Sequence, residues 1–331
     1  MEETRLTNRP TLNRWITGAH PDHPLLPLMG DTQADELLDG FEVMLTSLEE
    51  ANPARLSEKI KDFAANRTFK TVLDMRAELL VAHRLAEQGI EFEFGDTRKP
   101  NPDILVNQGN LGIEVTARRP DGTRILVEAL EEALTPYEGL SLVLTYTTYP
   151  HRIQSDVREA FVEQGTDLLR DGAGPGAKHS MTFLDSNNGG EVTITAHIQA
   201  AEDEQIRVQE KVDSTELTGT FDIVKNALTL AWNDKAKTKQ AESVPSILVV
   251  DAAMLGAAPM RSLEMTAKIL GAHFPPDCPF KAMAVMFPSL DTLDVSFAFA
   301  LHPSLDEAEA APIHSLMAKL TDTVTQVTVE P

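Results

Sequence analysis

The 331-residue chain is 42% hydrophobic and 24% charged, an ordinary globular balance with apolar material for one sizeable core or two modest ones. Its net charge of −22 argues against a general nucleic-acid coat, though not against a local basic groove, and a single cysteine, Cys278, excludes an internal disulfide and a cysteine-based zinc site. No apolar run reaches the roughly 18 residues of a membrane span and MEETRLTNRP has no apolar signal-peptide stretch, so the expectation is a cytoplasmic protein without a membrane partner.

Residues 1–30, rich in Pro, His and Arg, read as an extended arm. His20 and His23 in HPDH read as loop residues, not metal ligands. Residues 31–66 read as one or two helices, with Leu37, Phe41, Met44 and Leu48 at helical spacing and Asp31 or Thr32 as a cap. Thr71 to Gln88 is a clearer helix, with Leu73, Ala77, Val81 and Leu85 on one face and Gly89 as its stop. Glu78 shares that face's margin, and His83 reads as a helix-surface residue.

Strands follow at 90–94, 103–107 and 111–118, then a helix over 123–134, a strand over 140–149 and a helix over 152–170. GAGPG at 172–176 lacks the Lys-Ser/Thr of a phosphate loop and reads as a connector. Residues 180–212 read as β-hairpins around NNGG. A long helix over 216–241 precedes a strand over 246–255, a short helix near 261–270, the strands KAMAVMF and DVSFAFALH, and a closing helix over 314–327. Interleaving of this kind predicts an α/β class with a mixed central sheet flanked by helices.

The stretch PDILVNQGNLGIEVTARR, residues 102–119, carries acids in otherwise apolar strands. A two-residue turn at Gln108-Gly109 sets Ile104 opposite Ile113 and Asp103 opposite Glu114. Side-chain alternation then puts Ile104, Val106, Leu111, Ile113 and Val115 on one face, and Asp103, Glu114, Thr116 and Arg118 on the other. Two carboxylates with Cβ atoms about 5 Å apart repel, and a shared proton, a cationic side chain or a bound divalent ion relieves them. Oxygen ligands suit Mg²⁺ or Mn²⁺. Gly112 beside Glu114 suggests open space on the polar face.

At these residues the sequence resembles the PD-(D/E)XK nuclease superfamily, the restriction-endonuclease-like fold. Pro102-Asp103 matches its first half-motif, Glu114-Val115 the start of Glu-X-Lys, and Glu78 the acid on the preceding helix. The motif lysine is Thr116 here, and a hydroxyl carries no positive charge. The resemblance implies a restriction-endonuclease-like core over about 71–118 and 216–255 within a domain spanning 67–331. An insertion would cover about 119–215, with further strands and a helix at 256–331 and an N-terminal arm and helical extension at 1–66.

Glu78, Asp103, Glu114 and the Val115 carbonyl would hold Mg²⁺ or Mn²⁺. Extending the apolar stripe Leu217, Phe221, Val224, Leu228 and Ala231 brings Lys235 and Lys239 inward as substitutes for the lysine, with Lys237 pointing elsewhere. Arg118 and Arg119 would steady backbone phosphates. The implied activity is metal-dependent phosphodiester hydrolysis in DNA, with RNA second, in a setting such as restriction, repair or defence. The alternative is a catalytically inactive relative acting as a binding or regulatory module. The N-terminal helices offer a place for a homodimer or protein partner.

Overall fold

The computed structural model describes residues 8–29, 31–96, 98–117, 121–137, 139–147, 150, 153–184, 191–201, 208–212, 235–252, 263–272, 274–288, 293–321 and 324–326. In chain order its helices are α1 (Pro10–Ile16), α2 (Leu25–Leu28), α3 (Asp35–Ala51), α4 (Leu56–Ala64), α5 (Phe69–Glu87), α6 (Asp121–Leu134), α7 (Ser155–Arg170), α8 (Lys235–Ser243), α9 (Leu263–Ala272) and α10 (Glu307–Leu320). Its strands are β1 (Phe92–Phe94), β2 (Ile104–Val106), β3 (Leu111–Ala117), β4 (Leu140–Tyr146), β5 (Lys178–Leu184), β6 (Glu191–Ala200), β7 (Val208–Val212), β8 (Ser246–Asp251), β9 (Ala282–Pro288), β10 (Val295–Leu301) and β11 (Val324–Gln326). The class is mixed α/β. The chain divides into two compact units, Met1–Arg118 with Ala227–Pro331, and Arg119–Asn226. Among the described residues no helix is long and apolar enough to cross a membrane.

The first unit holds a seven-stranded mixed sheet in the order β1-β2-β3-β8-β9-β10-β11. Neighbours β1, β2 and β3 run antiparallel, while β3, β8 and β9 run parallel. The central strands β8 and β9 are buried along their whole length, which is why SILVVD and AMAVMFP are nearly continuous apolar runs rather than alternating ones. Ile113, Val115, Ile247, Val249, Ala284 and Phe297 pack in one core with Leu79, Leu80 and Leu85 of α5.

Helix α5 is bounded by local chemistry. The Thr68 side chain accepts the Thr71 N–H at its start. At its end Gly89 adopts φ +62°, the Ile90 N–H donates to the Leu85 carbonyl at 2.9 Å, and the Gly89 N–H donates to Ala86 at 2.9 Å. These are the two bonds of a Schellman stop.

The N-terminus differs from the expected extended arm. Residues 10–16 and 25–28 are helical, and Leu12, Trp15 and Leu25 are buried in the same core as Phe41 and Phe63. The cause is tertiary. Glu42 of α3 accepts the Thr11 and Leu12 N–H groups at 3.0 and 2.7 Å, capping α1 from another helix, and buried Arg9 pairs with Asp35 and Asp39. Asp31 and Thr32 do not cap α3; a 3₁₀ turn over Thr32–Ala34 leads into it instead.

The closing helix also moves. A capping box between Asp306 and Glu309 starts α10 at Glu307, and the helix carries Pro312 inside it. The β-branched run Thr321-Asp-Thr-Val-Thr suits extended backbone, and Val324–Gln326 pairs with β10 instead of continuing the helix.

The second unit has a four-stranded mixed sheet, β5-β6-β4-β7, flanked by α6 and α7. Strands β5 and β6 form the expected antiparallel pair, but β7 pairs parallel with β4 rather than as a hairpin.

Candidate functional site

The hairpin that carries the acids has the register Ile104↔Ile113, Leu105↔Gly112 and Val106↔Leu111. Positive φ at Gln108 (59°) and Gly109 (83°) closes it, with Asn107 also left-handed at 53°. Continuing the register sets Asp103 opposite Glu114, just beyond the end of β2. There the Asp103 carboxylate accepts the Val115 N–H at 2.8 Å, so the acid replaces the strand neighbour that β2 no longer provides.

Gly112 does not provide open space. A Cβ there would lie 2.4 Å from Pro102 Cγ and 2.5 Å from Ser246 Oγ. A Cβ on Gly95 would lie 1.9 Å from the Pro102 carbonyl oxygen, and the Gly95 N–H donates to the Asp103 carbonyl at 2.8 Å. Two glycines thus let Pro102 seat deeply, which fixes where Asp103 starts.

Glu114 is 1% exposed. Its cation is Lys237 on α8, whose ammonium donates to Glu114 Oε1 and, at 3.3 Å, to the Val115 carbonyl. The expectation for this helix is thereby corrected: Lys237 turns inward, and Lys239 is exposed. The Lys235 side chain and residues 216–234 lie outside the described residues, as do Arg118 and Arg119. The reason is angular. At about 100° per residue, Lys237 lies within about 40° of Ala241, one turn further on, and Ala241 is buried at the helix end. Lys239 lies about 200° from it. Gln240 and Ser243 fix the rotation by donating to the Asn101 and Pro100 carbonyls at 2.9 and 2.8 Å.

Glu78, on α5, pairs with Lys59 of α4. Lys59 is itself buried and lies over the Phe94 ring, 5.4 Å from its centroid. Sequence reasoning missed this lysine. Its signal was present, because Leu56, Lys59, Ile60 and Phe63 follow helical spacing and place Lys59 on the apolar side of α4.

The three acids share one electrostatic environment. Burial and then the Asp103 charge push the Glu114 carboxyl up to about 8 against the opposing pull of Lys237. Burial and then Asp103 push Glu78 up to about 7 against the pull of Lys59. Burial works to lower the Lys59 pKa, but Glu78 and Asp103 outweigh it, and the net direction is upward.

Among the described residues, no three His, Cys, Asp or Glu side chains are grouped so as to hold a metal ion. The expected convergence of residues 78, 103 and 114 is therefore not met. Glu78 and Glu114 each turn an oxygen to a lysine, and Asp103 turns one to a backbone N–H. The donor set nonetheless suits a hard divalent cation, being carboxylates plus the Val115 carbonyl, and Glu114 Oε2 is buried without a hydrogen-bond partner among the described residues. Thr116, in the motif-lysine position, is buried and shares the Glu114 face by alternation.

Other singled-out residues have structural roles. His83 is not on the surface: it is 2% exposed, and its Nδ1 lies 2.6 Å from Ser47 Oγ. His23 is buried, with Nε2 3.1 Å from the Phe63 carbonyl. Burial pushes the Cys278 thiol up, away from nucleophilic behaviour.

No protein-family model matches the chain, and neither a curated protein nor a solved structure matches it.

Proposed function

We propose that the first unit is a divalent-metal-dependent phosphodiesterase of the PD-(D/E)XK kind, with a restriction-endonuclease-like core, acting on DNA. The observation that carries this reading is Lys237. A helix that enters β8, the parallel neighbour of β3, delivers an ammonium to Glu114 and to the Val115 carbonyl. That is the charge missing from a motif with threonine at position 116. The order α5, β1, β2, β3, then α8 and β8, supports the same reading.

Asp103, Glu114 and the Val115 carbonyl would hold Mg²⁺ or Mn²⁺, with Glu78 assisting. Such an ion, when bound, lowers the pKa of a bound water and offsets charge on the scissile phosphate. The protein's own groups do the rest. The hairpin and Pro102 fix Asp103 and Glu114 side by side. Lys237 donates hydrogen bonds toward the attacking oxygen and offsets charge that builds on the phosphoryl group. Burial around Glu114 strengthens these interactions by keeping the local dielectric low.

The direct test is cleavage of plasmid and single-stranded DNA with Mg²⁺ or Mn²⁺, by the wild type and by Glu114→Ala. Metal-dependent cleavage lost in the variant supports the reading; a wild type that cleaves neither substrate with either metal rejects it. A second reading, an inactive relative used as a binding module, draws on the closed Lys59–Glu78 and Lys237–Glu114 pairs. It requires no cleavage, and Asp103→Ala then separates a retained metal site from none through the melting temperature in Mn²⁺.

A further inference from the structure

The loop between β1 and β2 carries a second set of cations beside the acids. Asp96, 4% exposed, holds Arg98 through Nε at 2.9 Å and accepts the Arg98 backbone N–H at 3.1 Å. The other carboxylate oxygen faces Arg55 Nη1 at 3.1 Å, with the Lys99 ammonium at 4.0 Å. One acid thus anchors three cations. The Arg98 and Lys99 side chains remain 76% and 66% exposed.

This loop is tied down on both sides. The Gly95 N–H donates to the Asp103 carbonyl, and α8 grips the carbonyls of Pro100 and Asn101 through Ser243 and Gln240. Arg55, the N-cap residue of α4, and Lys59 in that helix's first turn reach Asp96 and Glu78 respectively. The anchored guanidinium is therefore attached to the same elements that place Asp103 and Lys237.

We infer that Arg98 and Lys99 bind consecutive backbone phosphates of the DNA strand presented to Asp103 and Glu114. This assignment rests on the phosphodiester reading above. Asp96 holds the Arg98 guanidinium through Nε at 2.9 Å and Nη2 at 3.5 Å, which leaves Nη1 to donate to a phosphate oxygen from a fixed, largely exposed guanidinium. Holding it in place beforehand lowers the ordering cost of binding. On a chain of net charge −22, a local excess of cations is also the part of the surface a polyanion can approach.

The test is the salt dependence of duplex DNA binding by the full chain in EDTA, read by fluorescence anisotropy. Each phosphate contact contributes about 0.9 to the slope of log K against log salt. Arg98→Ala with Lys99→Ala is expected to lower that slope by about 2 and weaken binding ~10-fold or more at low salt. Arg98→Lys keeps the charge and is expected to keep the slope while binding several-fold more weakly. Arg170→Ala, which removes an exposed cation of the second unit, is expected to leave the slope unchanged.

An unchanged slope in the double variant, an equal loss in Arg170→Ala, or no wild-type binding at any salt overturns the inference. Because EDTA prevents turnover, the two claims fail separately. A wild type that cleaves DNA while the variants keep its slope rejects the phosphate contacts alone. Slope loss without cleavage under any metal rejects the hydrolytic reading alone.

Discussion

Lys237 donates to the Glu114 carboxylate across 123 residues of sequence, and the strand that receives this contact is the one hydrogen-bonded to β8 directly after α8. The ammonium reaches a group that is 1% exposed, so the pair is a buried one rather than a surface ion pair. On the phosphodiesterase reading proposed above, that relationship accounts for the threonine at position 116, since the charge arrives from a neighbouring element.

Glycine at 112 and 95 makes room for Pro102. Gly112→Ala should destabilise the first unit by about 1–3 kcal/mol, the usual range for overpacking a filled site. Gly95→Ala should cost more, because the clash is with the rigid Pro102 backbone. Urea unfolding of both variants checks the order, and a Gly112→Ala protein as stable as wild type would contradict the packing described.

Glu114 and Glu78 make stability depend on pH in a stated direction. Both carboxyls are raised in the folded state, to about 8 and about 7, so between the ordinary carboxylate range and about pH 8 the folded protein binds more protons than the unfolded chain. Stability should therefore fall as pH rises through this window. The melting temperature should drop between pH 5.5 and 8.5, and Glu114→Gln should flatten the drop. A melting temperature that rises across the window in wild type, with no change in the variant, would contradict the assignment.

Lys59→Met removes the cation beside Glu78. At pH 8 the variant should lose about 2–4 kcal/mol, since a buried carboxylate is left without its partner. The loss should shrink toward pH 5.5, where Glu78 takes up a proton. Equilibrium unfolding at the two pH values reads the difference directly, and an equal loss at both would mean that packing, not charge, is the role of Lys59.

Local patterns made much of this legible. Alternation and turn chemistry placed Asp103 opposite Glu114, and Gly89 marked the end of α5. What was hidden depended on partners distant in sequence. Helix α1 is capped by Glu42 of another helix, which no window around residue 10 reveals. A stripe counted forward from Leu217 points to Lys235 and Lys239, whereas counting back from buried Ala241 within the helix Lys235–Ser243 points to Lys237. Gly112 suggested a gap because the sequence does not show that Pro102 fills it.

The most direct measurement is Mg²⁺-dependent plasmid cleavage by Lys237→Met and Lys239→Met, compared side by side with wild type. Loss of the Lys237 ammonium should lower the rate at least ~100-fold, the scale for removing one preorganised charge at the reacting phosphate, while Lys239→Met stays within about twofold of wild type, as expected for an exposed side chain away from the site. Equal rates for the two variants, or a larger loss in Lys239→Met, would show that the ammonium beside Glu114 plays no part in phosphodiester hydrolysis.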